Sequence, residues 1–340
     1  MLFVCFVVGY HLCLQRRRSK LMAEPVIIDT DAGVDDAIAL LLALRSPELH
    51  VEAITTVAGN ATVDRCTENV EIVLDVAKPS KYPCVARGAE HPLVRQLITA
   101  PEVHGDDGLG NVASEFAPRE RPIEEAPAWQ LIIEKARALK GELNLITLGP
   151  LTNLALALEH DPDLPKLVKH VFTMGGAFRV PGNTTPVGEF NFVVDPEAAQ
   201  QVLKAGFNLT LLPLDATQRV LLTPENLTRE LIRSNSPTLK FIERITAFTI
   251  DYHRRVEQLD GMFLHDPVTV GAALWPWLFQ SECLHVRVET KGEFTYGMSI
   301  GEFHRIPRAF GSEHPNAIVV TGLDVPQFFL LFFSRLSNPS

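Results

Sequence analysis

The chain of 340 residues has few cysteines and no paired-cysteine motif. Its cysteines are scattered, odd in number and without a C-x-x-C pair, and they are Cys5, Cys13, Cys66, Cys84 and Cys283. A disulfide framework or a cysteine-based zinc site needs regularly spaced cysteines, so neither is expected. We therefore predict reduced, mostly buried thiols in a cytoplasmic protein.

The sequence also lacks an excess of positive charge. It has 31 Lys and Arg against 41 Asp and Glu, which gives a formal net charge of −10 at pH 7. Proteins that bind a nucleic-acid polyanion typically carry a basic surface, so nucleic acid is not expected as a partner. The charge favours a soluble enzyme whose acidic site needs a metal.

No apolar run is long enough to span a membrane. The most hydrophobic one, MLFVCFVVGYHLCL, covers residues 1–14 and is followed by QRRRSK. A spanning helix needs about 20 apolar residues, and a secretory signal carries its positive charges before the apolar part, not after it. We interpret residues 1–22 as an extension outside the fold, with a reversed anchor as the alternative, and predict one domain over residues 23–340.

What the sequence does contain is a strand, an acidic loop and an apolar helix in direct succession, VIIDTDAGVDDAIALLLAL at residues 26–44. The loop carries four carboxylates, those of Asp29, Asp31, Asp35 and Asp36. The last two fall on the first helical turn, where free N–H groups and the helix dipole tolerate negative charge. A solvated helix start is the alternative, but solvated acids do not usually separate a buried strand from an apolar helix. The remaining repulsion indicates a bound cation.

The ligand atoms indicate which cation. Carboxylates without neighbouring Cys or His suit calcium or magnesium, and a flexible loop of carboxylates and carbonyls favours calcium. An EF-hand loop also begins D-x-D, but its required Gly and Glu would fall at Val34 and Leu40. An aspartyl phosphatase, with Asp29 as nucleophile and Asp31 as acid, stays open as an alternative at this point.

Beyond this unit, apolar strand-like runs alternate with amphipathic helical segments. Strands are predicted over residues 51–57, 82–86, 143–148, 168–174 and 209–214, and helices over 64–77, 151–159 and 196–205. This rhythm predicts an α/β fold with a doubly wound, mostly parallel sheet flanked by helices. Ligands of such sheets bind beyond the carboxyl ends of the strands, where Asp31, Asn60, Leu148 and Met174 are expected.

The later part of the chain is predicted to be rich in helix. Long helices are expected over residues 237–255 and 266–277, strands over 284–289, 293–296 and 317–320, and an apolar helix from Val325. The run PQFFLLFFSRL at residues 326–336 is too short to span a membrane. We interpret it as a face that docks on the core or on another subunit.

The stretch DTDAGVDDA resembles the signature of the inosine-uridine family of nucleoside hydrolases. Further segments occur in family order, namely VAGN at 57–60, HGDDG from 104, LGPLTN from 148, MGGAF from 174, PGNTTPVGEFNFVVDPEAA from 181 and HDP at 265–267. One D-x-D motif is weak evidence, whereas six further motifs in order are strong. The resemblance implies hydrolysis of the N-glycosidic bond of ribonucleosides by a calcium-bound water, in nucleoside catabolism and salvage, by a homodimer or homotetramer.

The same resemblance implies a role for each matching residue. Calcium ligands are implied at Asp31, Asp36, Asp266 and the carbonyl of Leu148, with Asp31 also taking the proton of the water. His265 is implied to face the leaving base, and Asp29 to support the ligands from behind. The substrate-binding residues that it implies are Asp35, Asn60, His104, Met174, Asn183, Glu189 and Asn191.

Taken alone, several of these segments have ordinary structural interpretations. The segment around His104 fits a surface turn, LGPLTN a strand-to-helix turn, residues 183–191 an exposed polar loop, and Asp266 an N-cap. A paralogue that binds ribose without catalysis is a further alternative. The presence of every implied metal ligand argues against it.

Residues 251–265, DYHRRVEQLDGMFLH, differ from the tyrosine-bearing segment of well-known family members. His253, Arg254, Arg255 and Glu257 are candidates for contacting the base, and His253 or Arg254 is an alternative hydrogen-bond donor to it. A solvated helix face is the other interpretation. The sequence predicts no preference between purine and pyrimidine nucleosides.

Overall fold

The computed structural model describes residues 23–116, 119, 121–303 and 314–337. The predicted N-terminal extension, with Cys5 and Cys13, lies outside the described residues.

The strands of the described residues are, in chain order, β1 (Glu24–Thr30), β2 (Leu49–Thr56), β3 (Cys84–Arg87), β4 (Leu143–Thr147), β5 (Val168–Met174), β6 (Leu209–Leu212), β7 (Leu221–Leu222), β8 (Met262–Phe263), β9 (Phe279–Leu284), β10 (Val286–Val288), β11 (Ser299–Gly301) and β12 (Ala317–Leu323).

The α-helices are α1 (Val34–Leu44), α2 (Val63–Ala77), α3 (Pro101–His104), α4 (Ala128–Leu139), α5 (Thr152–His160), α6 (Leu164–Leu167), α7 (Phe190–Val194), α8 (Pro196–Lys204), α9 (Leu214–Thr217), α10 (Pro224–Ser234), α11 (Pro237–Val256), α12 (His265–Leu274) and α13 (Val325–Ser337). Short 3-10 helices occupy Ala113–Glu115 and Pro276–Leu278.

Eight strands form one mostly parallel sheet in the order β3-β2-β1-β4-β5-β6-β12-β9. All neighbouring pairs are parallel except β12 and β9, which are antiparallel at one edge. The strand order reverses at β1, which pairs with β2 on one side and β4 on the other. In open α/β sheets such a reversal leaves a crevice at the carboxyl ends of the two strands. The predicted α/β fold is confirmed.

Alternation along β1 explains why helices cover both faces of the sheet. Val26 and Ile28 belong to a core cluster with α1, α2, α11, α12 and α13. Ile27 points the other way and belongs to the cluster with α4, α5 and α8. Since successive strand side chains alternate between faces, three consecutive apolar residues place this strand in the middle of the molecule.

Several predicted boundaries differ from the structure because of proline and glycine. The predicted strand over residues 209–214 ends at Leu212, because Pro213 lacks the N–H that a strand needs, and α9 follows. The predicted strand over 293–296 is wrong. These residues form a turn between Gly292 and Gly297, in which Gly297 adopts a φ of +79° and the Tyr296 N–H bonds the Gly292 carbonyl.

The predicted strand over residues 284–289 is divided in the structure. Leu284 ends β9, and Val286 begins β10, which pairs with β11 in a separate ladder. Helix α12 ends at Leu274, two residues before Pro276, so it is shorter than predicted. Among the described residues, no helix combines the length and the hydropathy that crossing a bilayer requires.

The C-terminal helix docks on the core of its own chain through its phenylalanines. Phe328 and Phe332 are almost fully buried and their rings stack at 5.8 Å. Leu330 on the opposite face is 64% exposed. This confirms the interpretation of the apolar run as a docking face.

Truncating the buried ring is expected to destabilise the fold strongly. Phe332→Ala should lower the free energy of unfolding by about 3–5 kcal/mol, because it removes buried surface and leaves a cavity. Leu330→Ala is the matched control on the same helix and should change it by less than about 0.5 kcal/mol. Urea denaturation followed by circular dichroism measures both. Equal losses would mean that α13 is not anchored by this ring.

Candidate active site

A cavity with a volume of about 310 Å³ lies at the carboxyl ends of the central strands. Its lining includes the predicted residues Asp35, Asn60, His104, Leu148, Met174, Asn183, Glu189, Asn191, His265 and Asp266. Asp29, Asp31 and Asp36 are almost fully buried and lie outside this lining. The structure therefore brings the sugar-binding and base-facing candidates to one cavity, with three of the acids behind its surface.

The loop after β1 holds its carboxylates with hydrogen bonds from its own backbone and from the neighbouring strand. Asp36 accepts bonds from the Thr30 hydroxyl at 2.5 Å, the Gly33 N–H at 2.9 Å and the Asn60 side-chain amide at 3.0 Å. Asp31 accepts the Asn60 backbone N–H at 2.7 Å. Asn60 thus links the end of β2 to both acids.

The Asp31 carboxylate fits between two glycines that have no side chain to displace it. A Cβ on Gly59 would come within 2.2 Å of one Asp31 carboxylate oxygen, and a Cβ on Gly149 within 2.8 Å of the other. Both contacts are closer than real Cβ atoms show, so any larger residue would move the acid. The VAGN and LGPLTN segments therefore leave space for the Asp31 carboxylate, because Gly59 and Gly149 have no side chains.

The buried acids repel one another. Three carboxylates, those of Asp35, Asp36 and Asp266, offer ligand atoms within 4.8 Å of one another. Burial raises the pKa of Asp35 to about 8, with the charge of Asp36 acting in the same direction. Burial also raises the pKa of Asp31 and of Asp266 well above the usual value, again with neighbouring carboxylates adding to it. A cation among these groups would remove that cost.

The donor set fits a hard divalent cation held by oxygen. The Leu148 carbonyl joins the same cavity, and the Asn191 side-chain amide donates to it at 2.6 Å. A carbonyl oxygen has two lone pairs, so one stays available for a ligand. Behind the cluster, Asp29 accepts bonds from Thr55 and Asn153, and burial raises its pKa to about 7. Its other oxygen has no hydrogen-bond partner among the described residues.

The segment at residues 183–191 places amides and a carboxylate on the cavity. Glu189 caps α7, and its carboxylate accepts the N–H groups of Asn191, Phe192 and Gly176. Burial raises the pKa of Glu189 to about 7. Asn183 uses its carbonyl oxygen to accept the Phe190 N–H at 3.0 Å, which leaves its amide nitrogen as the open donor. Glu189 and Asn191 are buried in the cavity wall, whereas Asn183 is exposed at its edge, as an exposed polar loop would be.

Three imidazoles line the cavity, and each uses Nδ1 in a different hydrogen bond. His104 accepts the Val34 N–H at 3.0 Å, His253 contacts the Gly261 carbonyl at 3.0 Å, and His265 contacts the Thr217 hydroxyl at 2.7 Å. Burial lowers the pKa of His104 to about 4 and that of His265 to about 3, with the other imidazoles lowering the latter further. The rings of His104 and His265 are therefore neutral where they face the cavity.

A model of the inosine-uridine preferring nucleoside hydrolase family matches residues 26–330. The chain belongs to this family. It is therefore an enzyme that hydrolyses the N-glycosidic bond of ribonucleosides, and the aspartyl phosphatase alternative is not supported.

Individual relatives agree over nearly the whole length of this nucleoside hydrolase. The pyrimidine-specific ribonucleoside hydrolase RihA of Salmonella gallinarum is 38% identical over 319 residues, covering 93% of the chain and 99% of the relative. The inosine-uridine preferring nucleoside hydrolase of Crithidia fasciculata is 35% identical, covering 93% and 98%.

Solved structures give the same result. A plant nucleoside hydrolase, PpNRh1, superposes with a TM-score of 0.86 at 35% identity, covering 93% of the chain and 99% of that structure. A purine-preferring ribonucleoside hydrolase from Gardnerella vaginalis superposes with a TM-score of 0.84 at 30% identity, covering 92% and 98%.

The altered segment before the HDP motif reaches the cavity only in part. His253 and Glu257 line the cavity of this nucleoside hydrolase. Arg254 and Arg255 instead form ion pairs with exposed aspartates of the same region, which matches the interpretation of a solvated helix face for these two. Phe263 lies between the rings of His253 and His265, at 6.4 and 5.8 Å. This part of the cavity wall is thus aromatic.

The residues that support the backbone of the acidic loop were not predicted from the sequence. The Cys66 thiol on α2 donates to the Asp31 carbonyl at 2.8 Å, and the Asn69 amide donates to the Ala32 carbonyl at 3.0 Å. Ala32 needs such support, because its φ of +38° is rare for a residue with a side chain. Thr217 beside His265 is a further case. Nothing in their local sequence marks these residues, since each acts on a distant segment.

Proposed function

We propose that this nucleoside hydrolase cleaves ribonucleosides to ribose and free base with a calcium ion held by Asp31, Asp36, Asp266 and the Leu148 carbonyl. The observation that carries the proposal is the convergence of three buried carboxylates within 4.8 Å beside a cavity lined by amides and imidazoles. Asp35 is one of these three clustered carboxylates, so it contributes negative charge to the metal site as well as a contact for ribose.

The aspartates have different proposed roles at the sugar. Calcium held by Asp31, Asp36, Asp266 and the Leu148 carbonyl would supply Lewis acidity to a water molecule and the ribose hydroxyls. Asp31 accepts the proton of the attacking water, a role supported by its fixed position between Gly59 and Gly149. With no residue in the role of covalent nucleophile, water attacks opposite the base and the anomeric carbon is inverted. Asp29 supports the loop through Thr55 and Asn153.

The ribose hydroxyls need directed partners, and the cavity offers both donors and acceptors. The amides are those of Asn60, Asn183 and Asn191, and the carboxylates are those of Asp35 and Glu189. Their own hydrogen bonds hold them in place before the sugar arrives. Such positioning favours a distorted, oxocarbenium-like sugar over the relaxed ring. Met174 packs beneath this group, and its sulfur contacts the Asn191 amide at 3.3 Å.

His265 donates a hydrogen bond to the departing base. Negative charge develops on the base as the N-glycosidic bond breaks, and a neutral imidazole N–H offsets it. His253 is the weaker candidate for this donor, because its Nδ1–H is already used by the Gly261 carbonyl. His104 holds the opposite tautomer and serves as a second donor at the sugar or the base.

A substrate panel tests the reaction and ranks the bases together. Uridine, cytidine, inosine and adenosine are compared with phosphate esters, and reducing sugar and phosphate are both measured. We expect ribose from at least one nucleoside and no phosphate from any ester. Asp31→Asn, which keeps the shape of the side chain but removes the base, should lose about a hundred- to ten-thousandfold in rate. Phosphate release, or ribose release unaffected by Asp31→Asn, would contradict the proposal.

The organisation of the chain is proposed on similar grounds. The large sheet contains strands from Glu24 to Leu323, which supports a single domain over residues 23–340. Ile232 on α10 is a large apolar side chain that is 81% exposed, which supports a homodimer or homotetramer. The cysteines of the described residues are free, which supports a cytoplasmic enzyme.

A further inference from the structure

Thr217 lies at the end of α9, a short helix that contacts α12, the helix that carries His265. Its side chain is fully buried. Its hydroxyl oxygen is 2.7 Å from Nδ1 of His265, and among the described residues this is its only hydrogen-bond partner. The backbone N–H of Thr217 bonds the Pro213 carbonyl, so the backbone fixes where the hydroxyl is presented.

The direction of this hydrogen bond follows from counting hydrogens. If Nδ1 carried the imidazole hydrogen, Thr217 would accept it, and the hydroxyl hydrogen would be left without an acceptor in a buried place. An unsatisfied buried donor costs about 1–3 kcal/mol. If Nδ1 is instead bare, the hydroxyl donates to it and every hydrogen has a partner. The second arrangement is therefore favoured, and it puts the hydrogen of the neutral ring on Nε2.

The neighbouring imidazoles show that the partner of Nδ1 sets the tautomer in this cavity. The backbone N–H of Val34 must be a donor, so Nδ1 of His104 is bare and its Nε2 carries hydrogen. The carbonyl of Gly261 must be an acceptor, so Nδ1 of His253 carries hydrogen. His265 would present an acceptor to the base if its partner were a carbonyl.

We infer that Thr217 is a positioning residue that holds His265 in the tautomer whose Nε2–H faces the leaving base. This inference rests on the proposed role of His265 as hydrogen-bond donor. A donor at this position stabilises the charge that develops on the base, whereas the bare nitrogen of the other tautomer would repel it. Thr217 does not touch the substrate, and it is not among the residues that line the cavity.

Thr217→Val tests the inference, because valine keeps the shape of the side chain and removes the hydroxyl. Partners that fix the tautomer of metal-ligating histidines are typically worth about 10- to 100-fold in activity, and we take the same factor for His265. We expect kcat for uridine and inosine to fall by about that factor with little change in KM, and Thr217→Ser to retain most of the rate. With 4-nitrophenyl riboside, whose leaving group departs without a donor, Thr217→Val should match the parent enzyme. Thermal unfolding checks that each variant is folded, and Thr217→Ala replaces the valine variant if that one is not.

His265→Ala, measured on the same substrates, separates this inference from the function on which it rests. A large loss on nucleosides with His265→Ala but none with Thr217→Val would overturn the inference and leave the role of His265 intact. No loss with His265→Ala would overturn both. Equal losses on nucleosides and on 4-nitrophenyl riboside with Thr217→Val, not restored by serine, would mean that Thr217 only packs against α12.

Discussion

Replacing Asp36 by alanine is expected to abolish both calcium binding and ribose release. Asp36 is fully buried at the convergence of the acids, and it alone contacts Thr30, Gly33 and Asn60 together. Without it, the site loses a carboxylate and the bonds that orient the loop. We expect a loss of rate of at least about a hundredfold, as removal of a ligand's supporting partner alone costs about 10- to 100-fold.

The binding half of this prediction is measured without turnover. A ligand that binds only the folded state raises its stability by about 2.7 kcal/mol at a hundred times its Kd. Calcium should therefore raise the melting temperature of the parent enzyme and leave that of Asp36→Ala unchanged. Asp36→Asn tests the charge with the shape kept, and Asp106→Ala removes an exposed acid outside the cavity lining as the matched control.

Chelation completes the test. The parent enzyme should stop releasing ribose when calcium is removed and recover when calcium is restored. Near-normal turnover by Asp36→Ala in the presence of chelator would show that the acids do not hold a catalytic metal. A control variant that lost the calcium effect would show instead that the binding site lies elsewhere.

His265→Ala is expected to slow natural nucleosides by about a hundred- to ten-thousandfold, the usual worth of a donor or acid at a leaving group. His265 is half-buried, its surroundings lower the pKa of the ring to about 3, and the Thr217 hydroxyl lies 2.7 Å from its Nδ1. The role proposed for His265 is therefore that of a neutral donor of one hydrogen bond. Initial rates with uridine and inosine measure the loss.

A comparison of leaving groups isolates the events at the base. A 4-nitrophenyl riboside shares the sugar, the metal and the water with a nucleoside, but its leaving group needs no donor. His265→Ala should hydrolyse it at nearly the parent rate. Equal losses on both substrates would move His265 from the base to the support of Asp266, its neighbour in the chain, and no loss on either would remove it from the mechanism.

The sheet and the position of the site could be predicted from the sequence because both follow from local patterns. A strand buried on both faces must be apolar throughout, as Val26, Ile27 and Ile28 are, and polar residues just after such strands collect at one edge. The strand predicted over residues 293–296 failed because its β-forming residues stand between two glycines that favour a turn. Local propensity was outweighed by backbone geometry.

The partners that hold the site could not be predicted, because they come from distant parts of the chain. Thr217 is 48 residues from His265, and Asn153 is 124 residues from Asp29. Their hydrogen bonds depend on how α9 lies against α12 and how α5 lies behind β1. A threonine or asparagine in a helix carries no pattern that names its partner.

The reversal of strand order at β1 has a consequence for how the enzyme is made. Asp36 leaves the ribosome early, while Asp266 follows only after most of the sheet has been synthesised, and both acids belong to one site. N-terminal segments begin to fold during synthesis, but no nascent chain that ends before α12 contains the complete acid cluster. Hydrolytic activity therefore requires synthesis at least through α12, and products truncated before that helix would lack the complete acid cluster.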